Sequence, residues 1–339
     1  MKIVQAGSGG WGQGWLEYIR NTPGCELVGL VSRGGSNLEA AQKRWSLSPE
    51  QCFTDFSRAM ELDADLVIIS LPHKWHLAYA RQAMEAGKNV LIEKPLCDVW
   101  EDALDFRAFA EGRKERVWVS QNYRFRPQLW QLKASLDAGH LGALAWLDLE
   151  FRFGRTTGTA EHLWHREGWR ANQTNLMCIE YAIHHMDMLR FLTGSDIESV
   201  SCMGWAPEWS DCHDIDSLFA QLTFANGVRG TYSGHCRSIA GETGFQGNWR
   251  IQTGKGFTVW EYDGAPKVSS ADDADACLAE QYPFPGLDRG GILVEMQRAL
   301  RGEDTAVPTL EDNLYSLAPC FALLRSAQEK RTVRIEEFL

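Results

Sequence analysis

Gly7-Ser8-Gly9-Gly10-Trp11-Gly12 follows the short apolar run Lys2–Ala6 and opens an amphipathic stretch toward Arg20. A G-x-G-x-x-G loop between strand and helix is suited to a pyrophosphate. The first glycine permits a tight turn, the second lets phosphates reach the backbone, and the third lets helix and strand pack closely, with the helix N-terminus facing the anion. Ser8, Gly10 and Trp11 complete the loop, and Trp11 is expected to pack locally. A dinucleotide held there brings its ribose to the end of the second strand, where an acid would bind the 2′-hydroxyl. The sequence has Ser32-Arg33 instead. A 2′-phosphate would meet a hydroxyl and a guanidinium with no opposing carboxylate. NADP is therefore expected ahead of NAD, the plain alternative being that Arg33 is a solvated loop residue.

Other residues could move a proton. Lys94 lies in Leu91-Ile92-Glu93-Lys94-Pro95, just past an apolar strand and at the carboxyl edge where doubly wound sheets bind ligands. A lysine exchanges a proton with a reacting hydroxyl where burial or a nearby cation favours its neutral form. Read alone, Lys94 is equally a strand-end lysine paired with Glu93. Glu180, His184 and Asp187 are spaced i, i+4, i+7, which puts them on one helical face. That face can present a base and its orienting carboxylate. It could also hold zinc, but no third ligand cluster of familiar spacing accompanies it, so no metal is expected.

The segment His162 to Arg170 combines aromatic rings with cations just before that helix. Trp164 and Trp169 could stack on a sugar ring while Arg170 or Arg166 binds hydroxyls or a carboxylate. The same tryptophans could simply pack a long crossover loop. Tyr123 and Arg124, at the expected domain junction, are further candidates for the pocket wall.

The elements that must position these residues fall into two textures. Ile3-Val4, Leu27–Val31, Leu66–Ile69, Val90–Ile92 and Val117–Val119 alternate with amphipathic segments such as His76–Ala86 and Glu101–Ala110. Near-continuous apolar strands separated by helices belong to a parallel sheet covered on both faces. Residues 1–122 therefore read as an α/β dinucleotide-binding domain with a Rossmann, doubly wound parallel sheet. Beyond it, long β-like stretches at Leu144–Phe153, Leu218–Phe224, Val228–Ser233, Trp249–Thr253 and Phe257–Tyr262 carry hairpin signals between some of them. Helical patterns lie at Gln128–Ala138, Ile179–Phe191, Gly290–Leu300 and Leu310–Ala327. Residues 123–339 read as an α+β substrate-binding and oligomerisation domain with a large, mostly antiparallel, open-faced sheet. Two domains suit a chain of 339 residues.

Composition excludes several partners. A formal net charge of −11 disfavours a broad grip on nucleic acid or anionic membrane. No stretch of 18 or more apolar residues occurs, so no membrane span is expected. Nine cysteines without a C-x-x-C pair read as reduced thiols of a cytoplasmic protein, and the N-terminus reads as a first strand rather than a signal peptide. The 14 tryptophans are about three times the usual number for this length, and such rings suit both sugars and cores.

The glycine loop followed by Glu93-Lys94-Pro95 resembles the Gfo/Idh/MocA family of NAD(P)-dependent oxidoreductases. Leu71-Pro72 followed by His76 is similar to that family's loop after strand four, and Asn122-Tyr123-Arg124-Phe125 to its segment at the domain boundary. Glu180-x-x-x-His184-x-x-Asp187 resembles its Asp-x-Gly-x-His-x-x-Asp helix motif, with Glu180 in place of aspartate and Ala182 in place of glycine. Asn175-Leu176-Met177-Cys178 stands where glycines often precede the helix. The resemblance implies that Lys94 lies near the nicotinamide and takes part in proton transfer, and that His184 contacts the reacting hydroxyl, with Glu180 orienting it or aiding the relay. It implies that Leu71, Pro72, His76 and Glu93 line the cofactor site, that the substrate is a sugar, sugar acid, polyol or inositol-like alcohol, and that a homodimer or homotetramer forms through the C-terminal sheet. Two rivals share the fold: a glycosidase that holds NAD(+) tightly and oxidises its sugar transiently to allow elimination, and a cofactor-binding regulatory protein with inactive chemistry. The presence of both Lys94 and His184 argues against the second.

Overall fold

The computed structural model describes residues 1–154, 174–210, 212, 214–238, 241–262, 264–270 and 276–339. The chain divides into two compact units, residues 1–125 with 285–313 and residues 126–284 with 314–339.

The first unit is built on a six-stranded sheet of β1 (Lys2–Ala6), β2 (Glu26–Val31), β3 (Cys52–Phe53), β4 (Leu66–Ile69), β5 (Asn89–Glu93) and β6 (Val117–Ser120). All neighbours pair in parallel, in the order β3-β2-β1-β4-β5-β6. Leu66 through Ile69 and Val90 through Ile92 are completely inaccessible, as expected of strands covered on both faces. The helices α1 (Gly10–Asn21), α2 (Ser36–Trp45), α3 (Phe56–Met60), α4 (His76–Glu85) and α5 (Trp100–Ala110) alternate with the strands. Strand order reverses between β1 and β4, and a doubly wound sheet opens its ligand crevice at the carboxyl ends of the strands at that point.

The second unit begins with α6 (Pro127–Asp137) and β7 (Leu144–Gly154). A π-helical turn (Leu176–Tyr181) leads into α7 (Ala182–Thr193), followed by β8 (Ile197–Trp205), β9 (Ser217–Phe224), β10 (Arg229–Ser238), β11 (Asn248–Thr253), β12 (Gly256–Trp260) and β13 (Lys267–Ser270). The helix α8 (Asp288–Leu300) returns to the first unit, and α9 (Leu310–Glu329), most of which belongs to the second, precedes a short edge strand, β14 (Val333–Arg334). Eight strands run β13-β12-β11-β7-β10-β9-β8-β14. Every neighbouring pair is antiparallel except β7 with β10. Leu147, Leu149, Phe151, Leu218, Leu222, Tyr232, Trp249 and Trp260 point to the buried face. Trp146, Met203, Trp205 and Phe219 are exposed. Both sheets of the expected α/β plus α+β class are present. The sequence pattern did not anticipate β8, and the helix expected from Ile179 starts earlier with a π-helical turn.

Candidate active site

The glycine loop has the geometry of a phosphate cradle. Gly7 adopts φ +111°, and a Cβ there would lie 2.3 Å from the Ser70 carbonyl oxygen. A Cβ on Gly12 would lie 2.3 Å from the Gly7 carbonyl oxygen, whereas Cβ atoms on Gly9 and Gly10 would meet nothing within 4 Å. Gly7 and Gly12 therefore close the turn against its own scaffold, while Gly9 and Gly10 leave space at the N-terminus of α1. The Gln5 amide, fully buried in β1, donates from Nε2 to the carbonyls of Gly7 (2.7 Å) and Gly12 (2.8 Å). Sequence reasoning missed Gln5, although a lone amide in the middle of an apolar strand was the available signal. Ser8 donates from Oγ to Ser32 Oγ at 2.7 Å, tying the loop to the end of β2, and the neighbouring Arg33 is exposed.

At the end of β5 the main chain is fixed from several sides. Glu93 and Lys94 are both buried, and Lys94–Pro95 is a cis peptide. The Glu93 carboxylate accepts from Trp15 Nε1 (2.6 Å), from Ser120 Oγ (3.4 Å) and from the backbone N–H of Lys94 (3.2 Å). Burial pushes this carboxyl above the usual carboxylate range; the Arg289 guanidinium is the strongest opposing influence, followed by the Lys94 charge and the indole N–H groups of Trp15 and Trp11. Arg289 Nε lies 3.9 Å from Glu93 Oε1, within Coulombic range and beyond hydrogen-bond reach. Its guanidinium carbon sits 4.2 Å from the centre of the Trp11 ring, and a Cβ on Gly14 would collide with its Nη1. His76 supports the next residue along: Nδ1 lies 3.0 Å from the Pro95 carbonyl oxygen and Nε2 lies 2.7 Å from that of Leu71. Burial, with His73 beside it, pushes the His76 ring down to about 4. A neutral ring can donate to only one of those two carbonyls at a time.

The second set of residues stands on irregular backbone. Asn175, at φ +56°, starts the π-helical turn, and its N–H donates to Asp214 Oδ2 at 3.1 Å. The turn closes with the Ala182 N–H on the Met177 carbonyl, one residue wider than an α-helical bond. A Cβ on Gly234 of β10 would lie 2.6 Å from Met177 Cε, so this glycine lets the turn lie close to the sheet. Glu180 and His184 are both buried. His185 is bound at both nitrogens, with Nδ1 2.8 Å from the Tyr232 hydroxyl and Nε2 2.9 Å from the Phe245 carbonyl. Burial pushes this ring down to about 4. The neutral tautomer that donates from Nε2 and accepts at Nδ1 satisfies both contacts. Asp187 Oδ1 accepts from Ser316 Oγ, which also accepts from Arg190 Nη1.

Two models of one family match this chain. The oxidoreductase family model with an NAD-binding Rossmann fold covers residues 1–121, and the GFO/IDH/MocA C-terminal domain model covers residues 129–257. The chain belongs to the Gfo/Idh/MocA oxidoreductase family.

Among curated relatives, the uncharacterised protein y4oX of Sinorhizobium fredii is 26% identical over all of this chain and 96% of its own length. The D-apiose dehydrogenase of Paraburkholderia graminis is 23% identical over 97% of this chain and 88% of its own. An oxidoreductase from Agrobacterium radiobacter, solved in complex with NAD+, L-tartaric acid and magnesium, shares the fold with a TM-score of 0.81 at 20% identity, covering 100% of this chain and 99% of that one. As a Gfo/Idh/MocA member the protein is an NAD(P)-dependent oxidoreductase, and the open space over Gly9 and Gly10 at the head of α1 fits the pyrophosphate of such a cofactor.

The expected residues separate within this family frame. Gly7, Ser8, Gly9, Gly10, Trp11 and Gly12 form one loop, joined to Ser32 through Ser8. Leu71 and Pro72 are half-buried at the end of β4. Tyr123 is buried, and the Arg124 guanidinium donates to Asp312 Oδ2 (2.9 Å) and to the Ala306 carbonyl (3.0 Å), an ion pair internal to the first unit. Trp164, Trp169 and Arg170, with Arg166, lie outside the described residues. Among the described residues no cluster of three or more metal-ligating side chains occurs, and no helix is long and apolar enough to cross a membrane. Sequence reasoning also missed Arg289, which no local motif signals and which reaches the glycine loop from far down the chain.

Proposed function

We propose that this protein interconverts a secondary hydroxyl and a carbonyl on a sugar, sugar acid, polyol or inositol-like substrate, using NADP in preference to NAD. The observation that carries the reading is Lys94, a buried lysine whose backbone is clamped by the Glu93 carboxylate at the carboxyl edge of the parallel sheet that also bears the glycine cradle. When bound, the nicotinamide supplies the hydride acceptor or donor. Gly9 and Gly10 leave room for its pyrophosphate, and Ser32 and Arg33 receive the adenosine ribose end, where a guanidinium favours a 2′-phosphate. Leu71, Pro72, Glu93 and the loop anchored by His76 bound the cofactor's site. Lys94 takes the hydroxyl proton during oxidation and returns it during reduction. His184 contacts the same hydroxyl and shares the relay, and Glu180 orients it. Tyr123, Arg124, Trp164, Trp169 and Arg170 form the substrate wall in this reading. The D-apiose dehydrogenase among the relatives supports the carbohydrate class.

In this reading residues 1–122 serve the cofactor and residues 123–339 the substrate and assembly, although 285–313 of the latter pack into the first compact unit, and the protein is cytoplasmic. The exposed Trp146, Met203, Trp205 and Phe219 on the uncovered sheet face support a homodimer or homotetramer formed there. A strictly monomeric mass by light scattering would remove the assembly part of the proposal.

Screening sugars, sugar acids and polyols against NADP and NAD separately tests the reaction. Reduced nicotinamide is expected to accumulate in step with substrate oxidised. If a copurifying cofactor never accumulates in reduced form while substrate is consumed, net redox chemistry is excluded in favour of redox-assisted elimination.

A further inference from the structure

Two cysteines of the second unit, neither used by the proposed proton relay, lie side by side. Cys212 Sγ and Cys236 Sγ are 4.0 Å apart. Cys236 is completely buried in β10, and its N–H donates to the Asp216 carbonyl at 2.9 Å. Cys212 is half-buried on the chain between β8 and β9, where its N–H donates to Ser210 Oγ. Arg237 donates from Nη1 to the Cys236 carbonyl, which brings a positive charge to the pair. The two thiols are thus an accessible one and a sheltered one, side by side and next to a cation.

We infer that Cys212 and Cys236 form a dithiol modification site, which a peroxide closes to a disulfide and which thereby pulls the chain before β9 toward β10. The pairing with Cys236 and the Arg237 charge hold the Cys212 thiol below its usual range, while donating its hydrogen bond to Cys212, together with burial, pushes the Cys236 thiol up. Cys212 is therefore the attacking sulfur and Cys236 the resolving one. The Cys212 thiolate bonds to one oxygen of hydrogen peroxide as the O–O bond breaks, and the departing hydroxide takes up a proton to leave as water. The Cys236 sulfur then attacks the resulting sulfenic sulfur. An S–S bond forms, the S–O bond breaks, and the hydroxyl leaves as a second water with the Cys236 proton. Two thiols and one peroxide become one disulfide and two waters; sulfur loses two electrons and peroxide gains them.

The closure has a mechanical path. A disulfide requires about 2.05 Å between sulfurs, so the pair must approach by about 2 Å, with the less buried Cys212 moving toward Cys236 in the strand. Two residues beyond it, Asp214 accepts the Asn175 N–H at the head of the π-helical turn that carries Glu180. Cys178, Cys202 and Cys320 have thiols pushed up by burial, with no comparable activating cation, and are the internal controls.

The reduced full-length protein is titrated with hydrogen peroxide at neutral pH, its remaining thiols are alkylated, and its non-reduced digest is mapped by mass spectrometry. A peptide pair linked through Cys212 and Cys236 is expected, lost on addition of dithiothreitol. In Cys236→Ser, Cys212 is expected to carry a dimedone adduct instead. Recovery of Cys212 as an alkylated thiol in both proteins, at a peroxide dose that already oxidises the exposed Cys277, would overturn the site. Hydrogen exchange at the Asn175 amide is expected to change several-fold on oxidation and to return on reduction. Unaltered exchange there, with the disulfide formed, would overturn the mechanical path.

Discussion

Lys94 and His184 are buried to a similar degree, yet their backbones are held in opposite ways. Lys94 directly follows a regular strand of an all-parallel sheet, and Glu93, itself held by Trp15 and Ser120, secures the chain there together with His76. His184 follows a π-helical turn that starts at a left-handed asparagine and rests on a single glycine of β10. The first arrangement is redundant and stiff. The second stores its geometry in a few irregular backbone positions, the kind of place where substrate preference can change without disturbing the fold. Glu180 and Ala182, which depart from the usual family motif, both lie in or directly after that irregular stretch.

The sharpest way to break this comparison is to remove each group proposed to handle the proton. Lys94→Met and His184→Asn are each expected to lower kcat by about 10²- to 10⁴-fold, the usual contribution of general acid–base catalysis, with the circular dichroism spectrum intact. A kcat within about threefold of wild type in either variant would remove that residue from the relay.

Next in size is the support beneath Lys94. Arg289→Met leaves the buried Glu93 carboxylate without its strongest opposing charge and is expected to destabilise the protein by about 3 kcal/mol, measured by urea unfolding. A cost below about 1 kcal/mol would mean that the indole and backbone donors suffice, and the stiff region would be stiffer than described.

Acid should strain both regions alike. His76 and His185 are each pushed to about 4 in the fold, against 6.5 for an ordinary ring. Between those values the unfolded chain binds more protons than the folded one, so stability is full above about pH 6.5 and falls as pH drops toward 4. Each ring contributes on the order of 3 kcal/mol to that loss. Urea midpoints followed from pH 7 to 4.5 check the trend, and a protein that became more stable on acidification through this window would contradict it.

Two glycine substitutions compare the regions at the level of one methyl group. Gly7→Ala places a Cβ against a backbone carbonyl at positive φ, and about 2 to 3 kcal/mol of destabilisation is expected; Gly234→Ala meets chiefly the flexible end of Met177, with the Tyr232 hydroxyl at 3.2 Å, and about 1 kcal/mol is expected. Equal costs would show that the π-helical turn is as rigid as the glycine loop. An effect of similar size belongs to cofactor choice: Arg33→Ala should raise KM for NADP about tenfold, the worth of one charge-assisted hydrogen bond, and leave KM for NAD unchanged. Equal changes for both cofactors would locate Arg33 away from the 2′ position.

The same contrast explains what the sequence revealed. Strands such as Leu66–Ile69 are apolar throughout and bounded by turn residues, so the parallel sheet and its glycine loop could be read directly. Leu176–Tyr181 is apolar along nearly its whole length, which leaves no polar face to distinguish a π from an α period. Ile197–Trp205 carries exposed Met203 and Trp205 among its strand residues, so its in–out alternation is blurred and β8 went unseen. The parallel pairing of β7 with β10 depends on a long intervening segment rather than on either strand's own residues. Arg289 depends on a fold-back of residues 285–313 that no periodicity encodes. Local chemistry was legible; contacts assembled from distant segments were not.

That fold-back matters for how the protein is made. The first unit needs residues 285–313 as well as 1–125, so on the ribosome its glycine loop and Glu93 emerge long before Arg289 does. During that interval the Glu93 carboxylate lacks its main counter-charge, and its cheapest course is to remain protonated or solvated in an incompletely closed sheet. A nascent chain halted before residue 285 should therefore yield a nucleotide-binding unit that is easily proteolysed, and nearly the whole chain must be synthesised before the cofactor site can become rigid.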